Sequence, residues 1–129
     1  MAAPSLATVA PRYARYWADM KIPDSRLNTL DNIATKLIAN KARYQEVERK
    51  TGVPWWWIAI IHNRESSGNF SGVLHNGEHI IGTGKKTRLV PAGRGPFNSW
   101  AEAAEDALKL KGLHKIKDWS LEVVCYRAE

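Results

Sequence analysis

Pro54-Trp55-Trp56-Trp57-Ile58-Ala59-Ile60-Ile61-His62-Asn63-Arg64-Glu65-Ser66-Ser67-Gly68-Asn69-Phe70 is the stretch on which the reading of this chain turns. Thr51-Gly52 closes whatever precedes it, and Pro54 suits a first helical turn, where a missing N–H costs little. The eight residues Trp55 to His62 carry no charge. A helix that is apolar on every face belongs in a core. It runs directly into Arg64-Glu65 and a break at Gly68, which sets a carboxyl group at the exit of the most hydrophobic element. On helical spacing Glu65 shares a face with Ile58, Ile61 and His62. Apolar neighbours and the negative end of the helix dipole both disfavour the charged form of such a group. That combination is how a carboxylic acid is kept ready to donate a proton near neutral pH. A glutamate at a helix end is more commonly just solvated, so the functional reading depends on what surrounds it.

Working outward, Leu27, Leu30, Ile33, Ala34, Leu37 and Ile38 trace a 3.6-residue stripe that continues through Tyr44 and Val47 to Gly52. This is one long helix, or two with a break near Asn40. Ile22-Pro23 precedes it, with Asp24 or Ser25 as N-cap. Tyr13, Tyr16, Trp17 and Met20 give Pro11–Met20 an aromatic helical face expected to pack on the core, and residues 1–10 read as flexible. On the other side, residues 66–97 hold most of the nine glycines and few strong helix formers. Ile80-Ile81 and Leu89-Val90 fit a short hairpin or ordered loops. A loop-rich region this long inside a domain is usually functional. Ser99 with Glu102 forms a capping box. Ala101, Ala104, Ala107 and Leu108 offer small residues for close packing, and Gly112 is a stop. Asp118 caps a last helical segment, Trp119–Glu129. The expectation is a mainly α fold: a helical bundle around a buried central helix, with one loop-rich or short-hairpin lobe. Residues 11–129 would form a single domain after the flexible start.

The composition agrees with a globular protein. The chain has 129 residues, 44% hydrophobic and 25% charged, ordinary proportions for one domain with a real core. No run approaches the roughly 18 apolar residues that span a bilayer. The first ten residues lack a basic n-region and do not read as a secretory signal. The single cysteine, Cys125, excludes an intrachain disulfide and a thiol metal cluster. Its neighbours Val123 and Val124 suggest a buried structural thiol. The net charge of +6 favours anionic partners. Its cations are scattered, with no basic helix face, so a nucleic-acid binder is disfavoured.

Other constellations carry less. His75, Glu78 and His79 lack metal-ligand spacing, so no metal or other cofactor is expected. Gly82-Thr83-Gly84-Lys85-Lys86-Thr87 fails as a phosphate loop, because the leading glycine is missing and Lys86 occupies the hydroxyl position. No nucleophile elbow frames Ser66 beside His62. The tryptophans at 55–57 point in different directions and read mostly as core. Phe97 and Trp100 flank a Gly-Arg-Gly loop and suit stacking on a sugar face.

Glu65-Ser66-Ser67-Gly68-Asn69-Phe70 resembles the Glu-Ser signature of the lysozyme-like superfamily, in which the catalytic glutamate ends a buried helix. More specifically, Val53 to Leu108 looks like small phage endolysins and related bacterial wall-lytic proteins. The matching pieces are His-Asn-Arg-Glu-Ser-Ser, Leu74-His75-Asn76-Gly77, Val90-Pro91-Ala92-Gly93-Arg94, and Pro96-Phe97 followed by Trp100; the stretch that contains them covers nearly half the chain. The resemblance implies an α+β lysozyme-like fold and a muramidase that cleaves the bond between N-acetylmuramic acid and N-acetylglucosamine in bacterial peptidoglycan. Glu65 would be the proton donor. It also implies export by a separate holin or another route, with the wall as site of action. Ser66 and Asn69 would order the turn behind Glu65, and His75, Asn76, Arg94, Phe97 and Trp100 would line the sugar groove. Glycosidases usually need a second carboxylate; Glu78, in the loop expected to face Glu65, is the first choice, with Asp106 more structural. A single-glutamate mechanism, as in lytic transglycosylases, would leave Thr83 or another hydroxyl to place the water. A non-catalytic wall-binding or virion protein is the alternative from another class. Relatives of this kind continue beyond the stretch resembling Trp119–Tyr126. A truncated chain is therefore expected, with apolar surface near Leu121 and Val124 open to a second copy.

Overall fold

The computed structural model describes residues 3–128. Six α-helices follow one another: α1 (Leu6–Asp19), α2 (Asp24–Ala39), α3 (Lys41–Thr51), α4 (Trp55–Ser66), α5 (Trp100–Leu110) and α6 (Leu121–Ala128), with a 3-10 turn at Leu113–Lys115. No strand occurs among the described residues. One isolated antiparallel bridge joins Gly72 to His79, while Ile80-Ile81 and Leu89-Val90 form ordered loops, the alternative to a hairpin between them. The fold is mainly α, and no described helix is long and apolar enough to cross a membrane.

The chain divides into two compact units. One comprises the residues up to Asn28 together with those from Ile116, the other Thr29–Lys115. In the first, α1 packs on α6, with Val9 and Val123 buried. Helix begins at Leu6, inside the segment expected to be flexible. Ser5 is extended, and its hydroxyl accepts the Thr8 N–H at 3.3 Å, a capping signal that outweighs Pro11 inside the helix. The aromatic face of α1 is not core: Tyr16, Trp17 and Met20 are exposed. In α6, Leu121 is exposed while Val124 and Cys125 are half-buried, so Cys125 is not the enclosed thiol expected from its neighbours.

In the second unit the chain breaks at Asn40, giving two helices where one was possible. Of the α2 stripe only Leu37 is buried; Leu27, Leu30 and Ile38 face solvent. Helix α3 ends at Gly52, whose φ of 77° supplies the left-handed cap a β-carbon would resist. Pro54 has no side-chain oxygen to cap α4. The carboxylate of Glu48 serves instead, accepting the Trp55 N–H at 2.8 Å at the positive end of the helix dipole. Helix α4 is buried along Trp57, Ile58, Ala59, Ile61 and His62, whereas Ile60 is 51% exposed and Trp55 and Trp56 are half-buried. Its apolar sequence therefore overstates its burial. Helix α3 lies against α4 and α5, and Tyr44, Val47, Ile58 and Trp100 are enclosed between them. Ser99 caps α5 by accepting the Glu102 N–H at 3.2 Å. The Glu102 carboxylate returns to the Asn98 N–H, one residue upstream of the usual capping-box partner.

Candidate active site

The candidate site lies wholly within Thr29–Lys115. Helix α4 ends in a left-handed turn in which Gly68 N–H donates to the His62 carbonyl and Ser67 N–H to that of Asn63. Ser67 sits at φ 55°, a left-handed position that is uncommon outside glycine. Lys36 of α2 fastens this turn, donating to the Ser67 carbonyl at 2.8 Å. Inside the turn, the Ser66 hydroxyl donates to the carbonyls of His62 and Asn69, and the Asn69 side chain accepts the Ser71 N–H at 2.8 Å. Ser66 and Asn69 thus order the chain behind Glu65, and their polar groups are occupied in doing so.

Beneath the turn is a ring cluster. His62 is fully buried; its Nε2 donates to the Asn69 carbonyl at 2.9 Å and its Nδ1 accepts from the Tyr44 hydroxyl at 2.8 Å. Burial holds the imidazole below its ordinary pKa against the raising effect of the Asn69 carbonyl, and the nearby Arg43 and Lys36 charges lower it further. Burial also pushes the Tyr44 phenol up to about 12, against the lowering effect of Arg43. Trp100 lies 4.7 Å from His62 and Phe70 lies 4.5 Å from it, centroid to centroid. The Arg43 guanidinium covers Phe70 at 3.6 Å.

Glu65 emerges from this platform with its side chain 23% exposed and the Arg64 guanidinium 3.4 Å from Oε1. The glycine-rich loop then closes on the helix end. A β-carbon on Gly77 would stand 2.2 Å from the Glu65 carbonyl oxygen, and one on Gly72 would stand 2.7 Å from the Ser66 Cβ. No side chain could fit at either place. The loop backbone therefore seats directly on Glu65 and Ser66.

Glu78, next to Gly77, is brought close to this end of α4, but its carboxylate is spent on the loop. Oε1 accepts the Arg88 and Leu89 N–H groups at 2.9 and 2.8 Å and the Asn76 amide at 3.1 Å. Partial burial works to raise its pKa. The Leu89 and Arg88 amides, the Asn76 side chain and the Arg88 charge outweigh that and hold it below the usual carboxylate range. A low-pKa carboxylate saturated by N–H donors is a loop anchor. Glu78, expected as the second catalytic group, is thus engaged by the Asn76, Arg88 and Leu89 N–H donors of its own loop.

Several residues expected to line a sugar groove lie elsewhere. Phe97 and Trp100 are 5% and 2% exposed. Phe97 belongs to a cluster with Val73, Ile80 and Ala103, and Trp100 to the ring cluster around His62. Their aromatic faces are used in packing, so neither offers a stacking surface to a sugar. His75 is buried and stacked on Phe97; its Nε2 donates to Asp106 Oδ2 at 2.7 Å. Arg94 grips the same carboxylate with two bonds, at 3.0 and 2.5 Å. The Arg94 bonds lower the Asp106 pKa, burial opposes them, and the His75 bond adds to the lowering. Asp106 of α5 thereby pins both flanks of the glycine-rich loop. Asn76 donates to the Leu89 and Val90 carbonyls and accepts from the Glu78 N–H. Thr83 is exposed, and its hydroxyl donates to the Ile80 carbonyl at 2.7 Å.

Residues that the sequence does not mark as part of the site hold it together. Lys36, Tyr44 and Asp106 lie 29, 21 and 41 residues from Glu65 by the numbering, and only folding joins them to it. Thr87 is buried at 4% and bonds Pro91 and Arg94 across its own loop. No group of acidic, histidine or cysteine side chains among the described residues could hold a metal ion. No family model, curated protein or solved structure matches the chain.

Proposed function

We propose that the protein is a lysozyme-like peptidoglycan glycosidase acting on the bond between N-acetylmuramic acid and N-acetylglucosamine, with Glu65 as its general acid. The observation that carries this reading is the setting of Glu65. A half-buried carboxyl group ends a helix with one buried face, its backbone is met by Gly77 where no β-carbon fits, and the turn behind it is cross-bonded through Ser66, Asn69 and His62. Catalytic groups require this kind of preorganisation.

With Glu78 committed to backbone amides, a single-carboxylate course is favoured. Glu65 gives its proton to the leaving oxygen as the glycosidic C–O bond breaks. The resulting carboxylate then takes a proton from the attacking hydroxyl. If that hydroxyl is water, the product has a reducing end; if it is the sugar's own 6-hydroxyl, the product is the anhydro sugar of a lytic transglycosylase.

A non-catalytic role is favoured by a different observation: the Arg64 guanidinium stands 3.4 Å from the Glu65 carboxyl that would have to donate the proton. Clearing of a purified wall suspension separates the two readings. Lysis with release of reducing or anhydro ends supports the enzyme. Wall binding without soluble products supports the alternative.

A further inference from the structure

The loop tip Arg88-Leu89-Val90-Pro91-Ala92 is held rigidly although it projects into solvent. Five of its backbone polar groups are bonded from within: the Arg88 and Leu89 N–H groups by Glu78, the Leu89 and Val90 carbonyls by Asn76, and the Pro91 carbonyl by the Thr87 hydroxyl at 2.6 Å. What it presents is apolar, since Leu89 is 59% exposed and Val90 is 88% exposed, the latter the most exposed large aliphatic side chain of the described residues.

The surroundings of the tip are cationic. Lys85, Lys86 and Arg88 are exposed and make no ion pair with other described residues. From His79 to Ala101 the sequence contains no acidic residue. Glu78, the carboxylate bonded to the tip, is half-buried.

We infer that this loop docks on an anionic lipid surface, with Leu89 and Val90 entering the headgroup boundary and Lys85, Lys86 and Arg88 meeting lipid phosphates. Charge complementarity selects an anionic partner. The projecting aliphatic pair selects lipid over nucleic acid or a soluble polyanion, which have no hydrocarbon in which to bury it. The inference is independent of the chemistry at Glu65, because vesicle binding is measured without any wall substrate.

The test is co-sedimentation of the full chain with phosphatidylcholine vesicles, with and without phosphatidylglycerol. Binding should require the anionic lipid and weaken with salt. Lys85→Ala with Lys86→Ala should weaken it about 25-fold, taking about fivefold per cation near such a surface. Leu89→Asn with Val90→Asn, which keeps the charge, should weaken it at least about tenfold. Absence of binding to anionic vesicles overturns the inference. So does binding that depends on the lysines but ignores Leu89→Asn with Val90→Asn, which would mark a surface for soluble or wall-borne polyanions.

Discussion

Replacing Gly77 with Ala tests whether the loop truly seats on the end of α4. Two costs arise, and a second glycine separates them. Gly77 has φ 83°, a left-handed conformation that burdens an L-residue by about 1–2 kcal/mol. Its new β-carbon would also fall 2.2 Å from the Glu65 carbonyl oxygen. That atom belongs to helix backbone and cannot swing aside as a side-chain tip could. The loop must lift or the helix end must shift, at a cost of about 1–3 kcal/mol by comparison with overpacked cores. Gly82 has φ 73° but nothing within 4 Å of a β-carbon, so Gly82→Ala carries the conformational cost alone. Alanine restricts the unfolded chain equally in both variants, and that effect cancels in the comparison. Chemical denaturation should therefore place Gly77→Ala about 1–3 kcal/mol below Gly82→Ala. Wall lysis should fall only in Gly77→Ala, since the displaced backbone carries Glu65. Equal stabilities for the two variants would refute the seating of the loop on Glu65.

Tyr44→Phe leaves the buried Nδ1 of His62 without its donor and should cost about 1–3 kcal/mol. The difference from the parent should shrink as pH rises from 10 to about 12. In that window the unfolded tyrosine has ionised and the native one has not, so the parent alone loses this part of its stability. Because burial lowers the His62 pKa, the unfolded state takes up a proton before the native state does. Stability should therefore fall as pH drops below about 6.5, and unfolding midpoints across that range check it. Asp106→Asn removes the anion that holds Arg94 and His75. The Asp106 pKa is depressed in the fold, so its contribution is present above the unfolded carboxylate value near 3.8 and lost as pH falls through the lower native one. The variant should be less stable than the parent at neutral pH and converge with it in acid, read from denaturation midpoints at both.

Local punctuation of the fold was legible in the sequence. Asn40, Gly52, Gly68, Ser99 with Glu102, and Gly112 act through their own or adjacent backbone groups, and helices begin or end where those residues stand. What periodicity cannot supply is the partner of an apolar face. The α2 stripe is as regular as that of a core helix, yet Leu27, Leu30 and Ile38 remain in solvent. The same limit applies to aromatic residues beside glycine. Phe97 and Trp100 look available in a loop context, but the chain folds them inward against Val73 and His62. Around the candidate site, Glu65, Ser66 and Asn69 could be picked out because they are neighbours in a helix–turn signal. The role of Glu78 could not. Whether a carboxylate meets substrate or spends its lone pairs on the amides of Arg88 and Leu89 depends on contacts ten and eleven residues away. Asp106 reads as structural from its place on a helix, but its hold on His75 and Arg94 joins segments that only the tertiary fold brings together.

The most direct measurement is the wall-lytic rate of Glu65→Gln beside Glu78→Gln and the parent. Glutamine keeps the size and hydrogen bonding of Glu65 and removes the proton it must transfer. Lysis should fall at least about a hundredfold, with binding to intact wall and the unfolding midpoint retained. Glu78→Gln keeps an acceptor oxygen for the loop amides and should lose far less. A parent that lyses walls and a Glu65→Gln variant that lyses them equally fast would contradict the assignment of Glu65 as the general acid.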